Sequence, residues 1–281
     1  MKFLKTLLIF IVILLLSAFL APFIYKVAPF KFERILSRLV MVFSLLAIVF
    51  FVRIRRRDLE KYGFSAADNW LTLLRQGFTA GFLTLALLTA LEILMGGRMI
   101  AANLDPWWHM LIRMAEYVLA SLVIGFTEEL FFRGFLFTHI RMKCPVGISF
   151  VAANLVYAAL HFFKGGTYPV PANPGFVDGL KVIVHLADSF LNPASMWPTF
   201  LGLFLFGAML SYAFLKTGSL FLSIGLHAGS VFFLKVDNWF IASVPQASPL
   251  LFGDKNLHSG LLGWVFIGLL FLWVSRKRRD S

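Results

Sequence analysis

Leu122-Val-Ile-Gly-Phe-Thr-Glu-Glu-Leu-Phe-Phe-Arg-Gly-Phe-Leu-Phe137 sets three ionisable groups, Glu128, Glu129 and Arg133, in an otherwise apolar segment. A charge at mid-bilayer depth costs roughly 2.5–3.5 kcal/mol on insertion scales. A chain keeps such a cluster when the groups pair, face a wet cavity or do chemistry. Glu129 and Arg133 stand at i and i+4 with the acid first, the favourable order for an ion pair on one helix. Glu128 points about 100° round the helix from Glu129, and its own i+4 position is Phe132. It has to meet a group on another helix, or water. A desolvated glutamate is a standard general base; the competing reading is a protonated Glu128 in an interhelical hydrogen bond.

The rest of the chain is as apolar as this segment. Of 281 residues 59% are hydrophobic, 33 are Phe and only 14% are charged, where a soluble domain carries about a quarter. Several apolar runs reach the ~20 residues a helix needs to cross a hydrocarbon core. The sequence therefore predicts an all-α, polytopic helical membrane protein with about eight transmembrane helices. The spans fall near 6–25, 37–52, 76–95, 109–130, 147–163, 199–216, 219–235 and 261–275. No polar stretch is long enough for a soluble domain, so residues 1–281 read as a single membrane domain.

The net charge of +12 is placed at segment ends, in Arg53-Ile-Arg-Arg-Arg57 and Arg276-Lys-Arg-Arg279. Such runs orient helices and touch anionic headgroups, so the basic balance points to the lipid bilayer and not to nucleic acid. The pattern predicts a multi-pass protein with both termini cytoplasmic, in the inner (plasma) membrane if the source is bacterial. The first span resembles a secretory signal and is read as an uncleaved signal-anchor. The basic loop from Lys26 to Arg38 is the exception, falling outside. Cys144 is the only cysteine, which excludes an intrachain disulfide and a thiolate zinc cage.

In the long loop 164–198, Asp178, Lys181, His185 and Asp188 recur at helical spacing opposite Phe176, Leu180, Ile183, Val184 and Ala187. This predicts an amphipathic helix lying in the interface or capping the bundle, with His185 on its solvated face. His109, His139 and His258 rate as anchor or loop residues. Arg113 and Glu116 are expected to pair near the surface, and Glu92 to reach headgroups. No zincin, Walker A or nucleophile-elbow pattern occurs.

Two further spans carry polar stripes: Asn154, Tyr157 and His161 in one, Ser223, His227 and Ser230 in the other. One acid and two such histidines can activate water with electrophilic help, or can bind zinc with an open position. With Glu128-Glu129-Leu-Phe-Phe-Arg133, Tyr157-Ala-Ala-Leu-His161 and His227-Ala-Gly-Ser-Val231 on the page, the chain resembles the CPBP family, the CAAX proteases and bacteriocin-processing enzymes also called the Abi family. The first motif is complete. The second has tyrosine where the family has phenylalanine, and the third has Val231 where the family has Asn or Asp. The resemblance covers residues 110–235.

It implies an intramembrane endopeptidase in which Glu128 and His161 activate water and His227 stabilises the oxyanion. Glu129 and Arg133 would hold their helix in register. Ser230 or Asn154 would replace the donor missing at Val231. The implied substrate is a membrane-associated peptide or protein. Family names speak of metalloproteases, while the prenyl-protease members resemble glutamate proteases that need no metal; the sequence leaves the metal unknown, with zinc possible. Two other classes stand beside this one. Val231 favours a catalytically weak or inactive scaffold or immunity-type protein. A proton-coupled carrier ranks last, because no inverted repeat or matched broken helices occur.

Overall fold

The computed structural model describes residues 2–28, 30–52, 60–64, 69–101, 106–162, 168–185, 188–191, 193–253 and 257–277. The basic run 53–57, Arg279 and Ala187 lie outside the described residues. Along the chain come α1 (Lys2–Tyr25), α2 (Phe32–Val52), α3 (Trp70–Leu94), strand β1 (Arg98–Ile100) and α4 (Trp107–Glu129). A π-helical stretch, Leu130–Phe137, joins α4 to α5 (Thr138–Arg141). Then follow α6 (Val146–His161), α7 (Phe176–His185), α8 (Pro193–Thr217) and α9 (Leu220–Phe240). Strand β2 (Ile241–Ser243), α10 (Pro249–Phe252) and α11 (Leu261–Ser275) complete the chain.

Each of the eight apolar spans falls on one of these helices. Five stretches are long and apolar enough to cross a membrane: Leu8–Tyr25, Trp70–Leu94, Trp107–Arg141, Met196–Thr217 and Leu220–Phe240. Helices α6 and α11 are shorter and apolar. The protein is an all-α polytopic membrane protein. Its residues divide into two compact units, 1–55 with 159–196, and 56–158 with 197–281.

In the first unit α1 and α2 close on Ala18, Ala21, Phe32, Ile35 and Leu36, with Val182 of α7 packed against them. Gly179 permits that approach, since a Cβ there would lie 2.9 Å from the Ala18 carbonyl. Helix α7 is the amphipathic helix expected from its spacing. Tyr168 donates to Asp178 at 2.5 Å, and the Gly175 N–H donates to the same carboxylate. These two bonds, the tyrosine's first, hold the Asp178 carboxyl below the usual range. His185 is better held than a freely solvated residue: it contacts Asp188 at 2.9 Å and stacks on Tyr168.

The second unit is built round α9. Two thirds of its membrane-length window is buried, against 11% for the rod Trp107–Arg141. The buried residues of α4 are Ser121, Gly125, Glu128 and Glu129, spaced four, three and one residues, which all lie on one face. Lipid tails are as apolar as leucine, so close helix contact in a membrane relies on small residues and van der Waals packing. Gly77 and Gly81 of α3 face Gly225 and Gly229 of α9 in this way. A Cβ at Gly77 would lie 2.7 Å from the Leu226 nitrogen and 3.0 Å from the Gly225 Cα. Gly125 of α4 meets Ala228 similarly, with 3.1 Å left for a Cβ. His227 therefore rides on a helix gripped on two sides within one turn.

One end of the α3–α9 pair is closed by the antiparallel ribbon β1–β2, with Arg98 opposite Ser243 and Ile100 opposite Ile241. Gly96 makes the preceding turn with a positive φ of 77°, a conformation that suits glycine. It turns Arg98 inward, where its Nε donates to Glu92 at 2.6 Å and its Nη1 to Asp237 at 3.0 Å. Thr89 donates to the other Asp237 oxygen at 3.1 Å. Glu92 is fully buried, which corrects the expectation that it reaches headgroups: Arg98, a cation six residues away that also binds Asp237 of α9, holds it inside. Thr89→Val, nearly the same shape, should cost about 0.6–1.7 kcal/mol, the range of interhelical side-chain bonds in membranes. Thermal unfolding in detergent reads this; an unchanged midpoint would show that the Thr89 bond is energetically idle.

Candidate active site

The site starts from a spacing. Glu129 and Arg133, one turn apart, form the pair read from the sequence: Arg133 Nη1 donates to Glu129 Oε1 at 2.9 Å, with both side chains buried. Arg133 then reaches across to α8, donating from Nη2 to the Gly207 carbonyl at 2.8 Å and from Nε to Ser211 at 3.4 Å. Ser211 in turn donates to Asn154 Oδ1 at 3.0 Å. The guanidinium lies 4.6 Å above the Tyr157 ring, and Phe132 meets that ring edge-on. Arg133 thus ties α4, α6 and α8 together through charge-assisted bonds and a cation–π contact. Gly207 leaves room for this: a Cβ there would come within 2.7 Å of Tyr157 and 3.0 Å of Asn154.

His227 enters from α9. Its Nδ1 lies 2.8 Å from Glu129 Oε1, the oxygen that also receives Arg133. A carboxylate paired with arginine only accepts, so Nδ1 carries the proton and donates. Nε2 is then the nitrogen left to exchange a proton, and it lies 3.8 Å from Glu128 Oε2. That is too long for a direct hydrogen bond and short enough for one water to touch both groups. Phe206 packs edge-on against the imidazole at 5.7 Å, and His227 is 3% exposed. The imidazole is fixed in place and in rotation.

Glu128, Glu129, Arg133, Asn154, Tyr157, His227 and Ser230 all belong to the second unit. Ser230 donates to the Leu226 carbonyl at 2.8 Å, within its own helix. Asn154 donates to the Phe150 carbonyl at 2.8 Å. Val231 stands half-buried one turn after His227. His161 is the last residue of α6, half-buried, one turn beyond Tyr157. Sequence reasoning missed Gly207, Ser211 and Phe206. The first two stand at i and i+4 on α8, a small–polar pair on one face that could have marked a contact.

Residues 108–233 match the family model described as Rce1-like, type II CAAX prenyl endopeptidase. This region is similar to that family. The match runs from the second residue of α4 into α9 and contains all three motifs. Its Rce1-like character supports an endopeptidase of the CAAX type embedded in the membrane. Comparison with curated proteins and with solved structures gave no match. A catalytic zinc takes three protein ligands and keeps a fourth position open. Among the described residues no three of His, Cys, Asp and Glu are arranged to hold a metal ion, and His227 Nδ1 is already engaged by Glu129. The chemistry that Glu128, Glu129 and His227 offer is that of carboxylate and imidazole.

Proposed function

We propose that the chain is an intramembrane endopeptidase that hydrolyses a hydrophobic or membrane-tethered peptide or protein with Glu128 as general base. The observation that carries this is His227, held by Glu129 at one nitrogen and facing Glu128 with the other. Glu128 takes a proton from water as the water oxygen bonds to the scissile carbonyl carbon. The carbonyl electron pair moves to oxygen, and protonated His227 donates from Nε2 to that oxyanion. Collapse of the adduct breaks the C–N bond, and Glu128 returns its proton to the departing amine. Glu129 supports the charged ring from behind, the part a buried acid plays behind a catalytic imidazole. His161 falls in the first unit, and a part for it in activating the water rests on its motif position alone.

Val231 supplies no donor to the oxyanion, and removal of one such donor typically costs about 10²–10³ in rate. Val231→Asn should therefore raise turnover of a membrane-tethered peptide in proteoliposomes by about 10²-fold. His227→Ala should lower it by at least as much. Cleavage that persists at the wild-type rate in His227→Ala would remove the oxyanion role. The same valine favours a second reading, a catalytically weak member that binds a membrane partner. That reading requires Glu128→Gln protein to complement a knockout as well as wild type does.

A further inference from the structure

The turn between α1 and α2 carries Lys26 and Lys31, both exposed, in the basic loop that the charge pattern leaves unexplained. With Tyr25, Phe30, Asn173 and Pro174 they line a cavity of about 590 Å³ within the first unit. Among the described residues no acidic side chain lines it. Two ammonium groups facing one space repel each other, and an anion between them removes that repulsion. The Tyr25 hydroxyl and the Asn173 amide add neutral donors suited to phosphate oxygens.

The approach to the cavity names the rest of the ligand. Val12, Leu16, Phe19 and Phe23 are exposed along α1, at spacings of four, three and four residues, and Val27 is exposed in the turn beyond it. The four on α1 form one continuous outward stripe, and Val27 carries the apolar surface on to the residue next to Lys26. Phe30, on the cavity wall, is exposed as well. An apolar stripe that leads into a cationic cavity matches an amphiphile with an anionic head. Basic pockets at helix ends hold lipid headgroups by the same physics.

We propose that this cavity binds the phosphodiester headgroup of an anionic lipid, whose acyl chains lie along the exposed stripe of α1. Free phosphate has no use for the stripe. A zwitterionic headgroup brings a cation of its own against the two lysines.

Native mass spectrometry of the full-length protein, released from micelles containing phosphatidylglycerol or phosphatidylcholine, tests this directly. Phosphatidylglycerol should be retained in preference. The double variant Lys26→Gln/Lys31→Gln should bind it about 30-fold more weakly, since each lysine near an anionic headgroup contributes about fivefold. Asn173→Asp places a carboxylate on the cavity wall without altering either helix, and should weaken retention as well. Unchanged retention in the double variant would overturn the proposal, as would equal retention of phosphatidylcholine. Displacement of the lipid by millimolar inorganic phosphate would assign the site to a soluble anion and overturn the lipid.

Discussion

Glu128→Gln is expected to lower hydrolysis of a membrane-tethered peptide by about 10²–10⁴-fold, the range that a positioned base contributes. Glutamine keeps the volume and one carbonyl oxygen but cannot take the proton from water. The substitution should leave the fold intact, because the structural bonds of the site run through Glu129 and Arg133. Helical content and the unfolding midpoint in detergent should match wild type. Glu129→Gln makes the informative contrast. It also weakens catalysis, but by loosening the His227 ring, and it destabilises the fold because Arg133 loses its counter-charge. Wild-type turnover by a folded Glu128→Gln protein would place the base elsewhere and end the mechanism proposed above.

Arg133→Met is expected to cost about 3–5 kcal/mol, the usual price of breaking a buried pair from one side. The change strands the Glu129 carboxylate and takes the donor from the Gly207 carbonyl. Against total stabilities of about 5–15 kcal/mol, that is a fifth of the total or more, and the unfolding midpoint should fall clearly. The double variant Arg133→Met/Glu129→Leu removes the stranded charge and should regain a large part of that loss. It should remain inactive, because His227 then lacks the acid on Nδ1. Thermal unfolding and peptide cleavage measured on the same samples separate the two effects. A single variant melting within about 1 kcal/mol of wild type would show that the pair is not structural.

What was legible in the sequence is what neighbours along a helix decide. Hydropathy located the eight helices, and the four-residue spacing gave the Glu129–Arg133 pair. The 3.6-residue period gave the amphipathic α7. What was hidden depends on how helices are rotated against one another. Glu129 read as a register residue alone, because its second partner, His227, lies 98 residues away on α9. Glu92 read as a headgroup contact because nothing within one turn neutralises it; Arg98 reaches it only through the turn at Gly96, and Asp237 joins from α9. The glycines at 77, 81, 225 and 229 carried a clue to that rotation. Two stripes of small residues at four-residue spacing are natural partners, although a single sequence does not say which stripe meets which.

The π-helical stretch Leu130–Phe137 gives the rod Trp107–Arg141 a property that a regular helix lacks. Arg133 sits inside it, and the Thr138 hydroxyl donates to the Arg133 carbonyl at 3.0 Å. Wide turns of this kind occur frequently at functional sites. Before the stretch, the angular setting of the rod is decided by Gly125 against Ala228; from the second half of the stretch onward, by Gly134 near Leu220 and by Phe137 against Phe214. The widened turn works as a slip joint between these two settings. Substitutions that turn the lower half can be absorbed before they swing Glu128 and Glu129 away from His227. Deleting one residue between Gly134 and Phe137 would lock the joint, and the two acids would then follow every adjustment made below them.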